Sequence, residues 1–332
     1  LATADDDRFL RQFWETTSEI WKPFAKGGED AWILPRITLQ VNWGSSGEEV
    51  KRYPKSYPRN EDYYFKDGLT YTAKKENGQR FGYLPEGSVF AHIGSAVIPN
   101  YGTWPLLSYT SSALAIYLML CQTPDRSWEV GNVAKLPCDQ TLFENEALEN
   151  TAKQIAGALI SERQHDMNSP YYNGPLLLKV LDKEDSLSTH RDHPHRDLLE
   201  ELPIEQPETT LGTSAPIEQL GIEANRHRSR LQQQKQASAA AINETLFEHY
   251  GLEDSQQELI LQEIALRTNQ DPQETPDYDP ESITEPPEDF PEMVKDLLLH
   301  LTLKVVHEDD DGIVPLSDLD TESDLLTRLE AK

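Results

Sequence analysis

Basic residues, cysteines and long apolar runs are all scarce in this 332-residue chain. Its 30 Lys and Arg face 58 Asp and Glu, a formal net charge of -28. Taken over the whole chain, that balance argues against a nucleic-acid partner, because phosphate binding works through Lys and Arg that release counterions. Two cysteines, Cys121 and Cys138, cannot supply a disulfide framework or a four-ligand zinc site, and they fit a reducing, cytoplasmic setting. The longest apolar stretch, Leu106 to Cys121, is about a turn short of the roughly 20 residues that a membrane span needs. It reads as a buried helix, and no membrane partner is expected. No secretory signal opens the chain, which starts at Leu1 rather than a Met and runs into an acidic cap, Asp5 to Asp7, as a piece of a longer protein would. Nucleophile-elbow, zinc-protease, P-loop and dinucleotide-glycine patterns are missing, so no catalytic residue is assigned.

What is present is unevenly distributed. Residues 1–140 hold 15 Lys and Arg against 17 Asp and Glu, whereas residues 141–332 hold 15 against 41. The first part is thus near neutral, at -2, and the second carries -26. All six Trp and nine of the thirteen Tyr lie before residue 140, which gives the first part the richer core.

Phe9, Leu10, Phe13 and Trp14 are spaced as one face of a helix over Asp7 to Ile20. Short β-prone runs follow, at Ile37 to Trp43, Leu69 to Ala73, Phe81 to Leu84 and Ser88 to Ile93, with Asn77-Gly78 as the strongest hairpin signal. Ser108 to Leu120 has helical length, Trp128 to Leu136 reads as a final strand closed by Pro137, and Gln140 to Gln164 as a long amphipathic helix. Residues 183–240 are rich in Glu, Gln, His, Ser, Thr and Pro and read as a polar, flexible linker. Ile242 to Tyr250, Gln256 to Ile264 and Glu292 to Leu303 then read as short amphipathic helices. The expected fold class is α+β, with a β-rich domain at 1–140, a helical spacer at 141–182, the linker at 183–240 and an acidic helical region at 241–332.

Residues 51–80 form a basic island, eight Lys and Arg against four acids, interleaved with Tyr53, Tyr57, Tyr63, Tyr64, Phe65 and Tyr71. That mixture suits phosphate contact combined with packing on bases or sugars, and equally a solvated, tyrosine-bearing sheet face. The island's position in an acidic chain tips it towards binding. Other groupings favour plainer readings. His190, His193 and His195 lie in a segment with two Arg, one Pro and no Cys, which suits a linker better than a transition-metal site. Glu308 to Asp311 with Gly312 lacks the first and twelfth ligands of a calcium loop and reads as a solvated turn. Gly27-Gly28 reads as a tight turn.

Three stretches together resemble the post-catalytic part of adenine-specific DNA methyltransferases of BREX phage-defence systems and fused restriction-modification enzymes. The first runs through Trp21 to Glu29, Val41-Asn42-Trp43-Gly44, Arg59 to Tyr71 and Leu84 to Phe90. In that family this order belongs to the target-recognition domain. The second, Trp128 to Pro137, is similar to the closing segment of type I specificity subunits. The third, Asn243 to Leu252 with Met293 to Leu303 and Asp311 to Leu316, resembles the family's C-terminal helical region. The family's cofactor-binding glycine motif and Asn-Pro-Pro-Tyr motif have no counterpart here, since Asn168-Ser169-Pro170-Tyr171 departs at its second residue. S-adenosylmethionine is therefore expected in a methylating domain or partner outside this chain.

The resulting expectation is a DNA-sequence recognition module acting on double-stranded DNA beside a methyltransferase domain or subunit. Lys51, Arg52, Lys55, Arg59, Lys74, Lys75 and Arg80 are the candidates for phosphate or guanine contact. Asn42, Asn60, Tyr63 and Tyr64 are the candidate base readers. The alternative is an acidic protein-interaction or regulatory fragment that does not bind DNA.

Overall fold

The computed structural model describes residues 1–16, 18–27, 32–73, 81–123, 127–181, 194–208, 210–268, 279–317, 319 and 322–332. The first elements are α1 (Asp6–Phe9), β1 (Leu10–Gln12), β2 (Trp21–Ala25), β3 (Leu39–Asn42), α2 (Glu48–Arg52), β4 (Gly68–Thr72), β5 (Phe81–Leu84), β6 (Val89–Phe90) and β7 (Gly94–Val97). Helices follow: α3 (Thr103–Thr110), α4 (Ala113–Gln122), α5 (Val130–Val133), α6 (Glu146–Arg163), α7 (Leu176–Val180), α8 (Leu198–Glu201), α9 (Ile217–His249), α10 (Asp254–Thr268), α11 (Phe290–Glu308) and α12 (Leu325–Glu330). The fold is α+β, with the sheets in the N-terminal part and helices beyond. Two compact units are present. One comprises Leu1–Ile160, His190–Ile204 and Gln232–Pro276, the other Ser161–Thr189, Glu205–Leu231 and Asp277–Lys332.

In the first unit, one sheet has the order β1-β3-β2-β6 and the other β5-β4-β7. The helix expected over Asp7 to Ile20 is only the single turn α1. The chain instead continues into β1, where Leu10 pairs with Val41 and Gln12 with Leu39 on β3, and then into a 3-10 turn over Phe13–Glu15. Ladder pairing and burial of Leu10 and Phe13 override a helical pattern too short to hold by itself. Leu10, Phe24, Val41, Trp43, Tyr64, Leu84, Val89 and Phe90 belong to the core of this region.

β4 and β5 pair antiparallel from Gly68↔Leu84 to Tyr71↔Phe81, and β7 covers the other edge of β4. The expected Asn77-Gly78 turn lies outside the described residues. Trp128 was expected to begin a strand. Its N–H does bond the Ala73 carbonyl at 2.7 Å and its ring packs 5.8 Å from that of Phe81, but the chain then turns into α5.

The helix expected over Ser108 to Leu120 is broken into α3 and α4, which meet at 62°. Ser112 causes the break by capping α4, its Oγ accepting from the Ala115 N–H at 3.2 Å. Asn243 of α9 adds a second cap, its Oδ1 accepting from the Ala113 N–H at 2.8 Å. Among the described residues, no single helix is long and apolar enough to cross a membrane.

The largest departure from expectation is residues 183–240. Of the described part, Pro194–Ile204 packs through buried His195, Leu198 and Leu202, and α9 occupies everything from Ile217 onward. Helix-favouring Ala, Gln, Leu, Glu and Arg dominate α9. One buried stripe, Leu220, Ala224, His227, Leu231, Lys235, Ser238, Ile242 and Leu246, recurs every three or four residues. Half of them are small or polar, so the stripe does not register as hydrophobic.

In the second unit, Leu176, Leu177, Leu178 and Val180 of α7 pack with Leu220 and Ala224 of α9 and Met293 and Leu297 of α11. A Cβ on Gly221 would meet the Phe290 ring at 2.6 Å, which explains a glycine inside that helix. Three arginines of α9 hold the acidic segment before α11. Arg226 donates to the Ile283 carbonyl at 2.9 Å, Arg228 makes two bonds to Asp289 at 2.8 and 2.9 Å, and Arg230 pairs with Glu281.

Candidate nucleic-acid interface

The loop from Trp43 to Asp67 carries most of the expected site residues. It begins where β3 ends, at Trp43, whose ring anchors the segment in the core. Gly47 lies at φ +69°, directly under that ring, and a Cβ there would approach it to 2.9 Å. Only glycine fits both conditions. α2 follows with Glu48 and Glu49 in its first turn and Lys51 and Arg52 in its last, the arrangement that the helix dipole favours.

Beyond α2 the backbone takes three left-handed turns at non-glycine residues, Lys55 (φ +71°), Asn60 (φ +56°) and Phe65 (φ +67°). Such residues are uncommon and persist where surrounding contacts over-determine them. Here the contacts are visible. Phe65 donates its N–H to Ser88 at 2.9 Å and accepts from Gly87 at 3.1 Å, while Tyr57 exchanges two backbone bonds with Ala2. The second half of the loop is therefore pinned at Tyr57 and at Phe65.

At and beside these pins, two tyrosines face outward, each paired with a cation. Tyr57 is 45% exposed, with the Arg59 guanidinium 5.0 Å from its ring centroid and donating to its hydroxyl at 2.6 Å. Tyr63 is 50% exposed, with the Lys66 ammonium 5.3 Å from its ring centroid. Among the described residues no carboxylate pairs with Lys55, Arg59 or Lys66.

The other expected residues are differently placed. Lys51 is paired with Glu61 and lies 5.5 Å from the Trp43 ring centroid. Arg52 bonds Glu48 at 3.1 Å, and Asn42 donates to Glu49 at 3.5 Å. Glu49 also holds Arg8 at 2.8 Å. Asn60 supplies the left-handed entry to the 3-10 turn Glu61–Tyr63. Tyr64 is a correction. Expected as a base reader, it is only 3% exposed, sits edge-on to Trp43 and Phe90 at 5.4 and 5.0 Å, and burial pushes its phenol up to about 12. It is a core residue. Lys74, Lys75 and Arg80 lie outside the described residues.

The pairing of Tyr57 with Arg59 and of Tyr63 with Lys66 was not anticipated. The signal in the sequence is a tyrosine followed at two or three residues by a cation, on either side of Asn60.

The remaining candidates resolve as structure. His190 and His193 lie outside the described residues, while His195 is 2% exposed with its Nε2 at 2.9 Å from Ser88 Oγ, which replaces the linker reading for that residue. Among the described residues no group of three or more His, Cys, Asp or Glu is arranged to hold a metal ion. Asn168 to Tyr171 is a turn after α6, in which Asp166 accepts from the Asn168 N–H, Ser169 from the Tyr171 N–H, and Tyr171 is buried. The left-handed Gly27 (φ +81°) sits so close to Gly94 that a Cβ would lie 2.6 Å from its Cα. Between β2 and β4, a cavity of about 40 Å³ is lined by Lys26, Arg36, Thr70 and Thr72 among others. It has room for water and not for a nucleobase.

Compared with characterised proteins, the chain is similar to the adenine-specific methyltransferase BrxX of Escherichia coli O9:H4 (strain HS), with 30% identity over 138 residues. The match covers 40% of this chain and 11% of that protein, a small piece of the relative's length. It supports a distant relation to a BREX-type methyltransferase. No family profile matches the chain.

Proposed function

We propose that the first unit is a DNA-sequence recognition module of a system built around an adenine-specific methyltransferase, in phage defence or restriction-modification, with methyl transfer and S-adenosylmethionine binding carried by another domain or subunit. The observation that carries this reading is the pinned loop with its two outward cation–tyrosine pairs, Arg59 on Tyr57 and Lys66 on Tyr63. Each pair offers a donor for a phosphate oxygen beside a flat apolar face for a sugar or an unstacked base. The distant relation to BrxX supplies the enzymatic context.

Lys51, Arg52 and Asn42 join this surface by exchange. Their carboxylate partners are exposed or half-exposed, and such surface pairs contribute about 0–1 kcal/mol. A phosphate displaces a carboxylate from them at little cost. Phosphate contact by Lys55, Arg59 and Lys66 sets affinity, while Asn42, Asn60 and Tyr63 are the proposed base readers.

Fluorescence anisotropy on a labelled duplex across a salt series tests the reading with the full chain. Binding should weaken linearly in log–log form, and Arg59→Ala and Lys66→Ala should each reduce the slope by about 0.9. Absence of binding at low salt, or slopes unchanged in both variants, overturns it. The second reading, an acidic protein-interaction fragment, rests on the -26 charge of residues 141–332. Binding of a basic protein that is indifferent to Arg59 and Lys66 would favour it.

A further inference from the structure

Residues 308–330 contain nine Asp and Glu against a single Arg. Despite that polarity, this segment of the second unit turns its aliphatic side chains outward. Ile313 is 71% exposed, Leu316 87%, Leu319 56% and Leu326 65%. Aliphatics exposed singly are ordinary, whereas several gathered on one stretch of surface point to an interaction site.

The polar groups are meanwhile turned inward on one another. Asp309 accepts from the Asp311 and Gly312 N–H groups at 3.1 and 3.0 Å, and from Arg328 at 2.7 Å. These bonds, the one to Arg328 foremost, hold its carboxyl far below the usual carboxylate range. Arg328 also holds Glu322 and the Ser323 carbonyl. Pro315 accepts from the Leu325 N–H at 2.9 Å, and Leu319 and Glu322 exchange two backbone bonds. These links bring the strip around Leu316 beside the start of α12 with Leu326. Among the described residues, one arginine thus ties Asp309 to Glu322 and α12, and these bonds position the aliphatics beside it, which lowers the ordering cost of docking.

We propose that this knuckle, Ile313, Leu316, Leu319 and Leu326 on the Asp309–Arg328 frame, is a docking surface for a basic amphipathic helix of a partner protein. The proposal deepens the acidic-surface reading by naming the partner's chemistry, and it does not depend on DNA binding by the first unit. Charge decides the occupant. The segment's net -8 repels nucleic acid and anionic lipid, and the chain's -28 opposes a second copy. A helix with a leucine face bordered by lysines satisfies both the aliphatics and the carboxylates outside the Arg328 network, Asp310, Asp311 and Glu330 among them.

The test uses the full chain and two fluorescent peptides of equal charge, an amphipathic lysine/leucine helix and a lysine/serine control. The leucine peptide should bind about tenfold more tightly. Leu316→Ser combined with Leu326→Ser should erase that preference while leaving circular dichroism and thermal midpoint unchanged, as expected for exposed side chains. Equal binding of both peptides would leave only a diffuse acidic surface and overturn the knuckle. A preference that survives in the double variant also overturns it. So does concentration-dependent dimerisation in sedimentation velocity that the double variant abolishes, because the occupant would then be a second copy. DNA binding through Arg59 and Lys66 is read separately, so the two proposals fail independently.

Discussion

His195 Nε2 lies 2.9 Å from Ser88 Oγ, both side chains buried, although 107 residues of chain separate them. The contact ties the segment ahead of α8 to the strand entry at β6. Replacing either residue by Ala leaves a buried polar atom short of a partner, so Ser88→Ala and His195→Ala should each cost about 1–3 kcal/mol in urea unfolding. The double variant should cost less than the sum of the singles, because both remove one contact. Strict additivity would mean that the two side chains act separately.

Tyr64 and Tyr63, adjacent in sequence, should separate cleanly by experiment. Tyr64→Ala removes a ring packed against Trp43 and Phe90 and should cost about 3–5 kcal/mol, whereas Tyr64→Phe keeps the ring and should leave duplex binding unchanged. Tyr63→Ala should do the reverse, weakening DNA binding while changing stability by less than about 0.5 kcal/mol. Loss of DNA binding in Tyr64→Phe would return that hydroxyl to the list of base readers.

Glu61 and Glu48 occupy cations that the DNA reading needs. Glu61→Gln, which releases Lys51, and Glu48→Gln, which releases Arg52, should each tighten duplex binding at low salt and steepen the salt dependence by about one. Unchanged affinity in both would mean that Lys51 and Arg52 face away from the bound duplex.

Acid should destabilise the second unit through two desolvated histidines, buried His227 and part-buried His165. Desolvation lowers His165 and His227 to about 4, opposed at His165 by its bond to the Gly174 carbonyl and aided at both by smaller repulsions from neighbouring side chains, among them Arg228. Their folded values lie below the unfolded value of about 6.5, so the unfolded chain binds more protons between those two pH values. Stability is then fully present above about 6.5 and falls as pH drops towards 4, by on the order of 3 kcal/mol for each histidine. Amide exchange in α7 and α11, followed over that window, should show the loss, and His227→Gln should flatten it. A flat profile in the wild-type protein would count against burial of the neutral forms.

Gly157 lies inside α6, where a Cβ would land on the Pro203 carbonyl. Gly157→Ala raises helix propensity by about 1 kcal/mol yet should lower thermal stability, because backbone cannot yield as a flexible side chain does. A rise in the thermal midpoint would show that the Pro203 segment adapts.

The legible part of this fold is where one physical effect dominates. The pairing of β4 with β5 follows from alternating apolar runs, and α10 and α11 from their periodicity. Where two effects compete, local pattern misleads. Phe9 to Phe13 carries a helical pattern that ladder bonds to β3 override. The Ser108 to Leu120 stretch is long enough for one helix, but Ser112 is a better cap than an interior residue. α9 escaped notice because its buried stripe includes Ala224, His227, Lys235 and Ser238, which contribute little hydrophobicity. For the site, composition located the basic island but could not distinguish Tyr63 from Tyr64. The left-handed Phe65 and the strand entry at Ser88 decide which ring turns inward, and those are tertiary facts.

The interleaved composition of the two units has a practical consequence. Along the chain, membership alternates between them at five points, so no single cut separates the near-neutral half from the acidic one. A truncation intended to strip negative charge would also discard Asn243, which caps α4, and buried Leu246 and Phe247. Charge in this protein is therefore better edited one residue at a time, by isosteric substitution, than by cutting the chain.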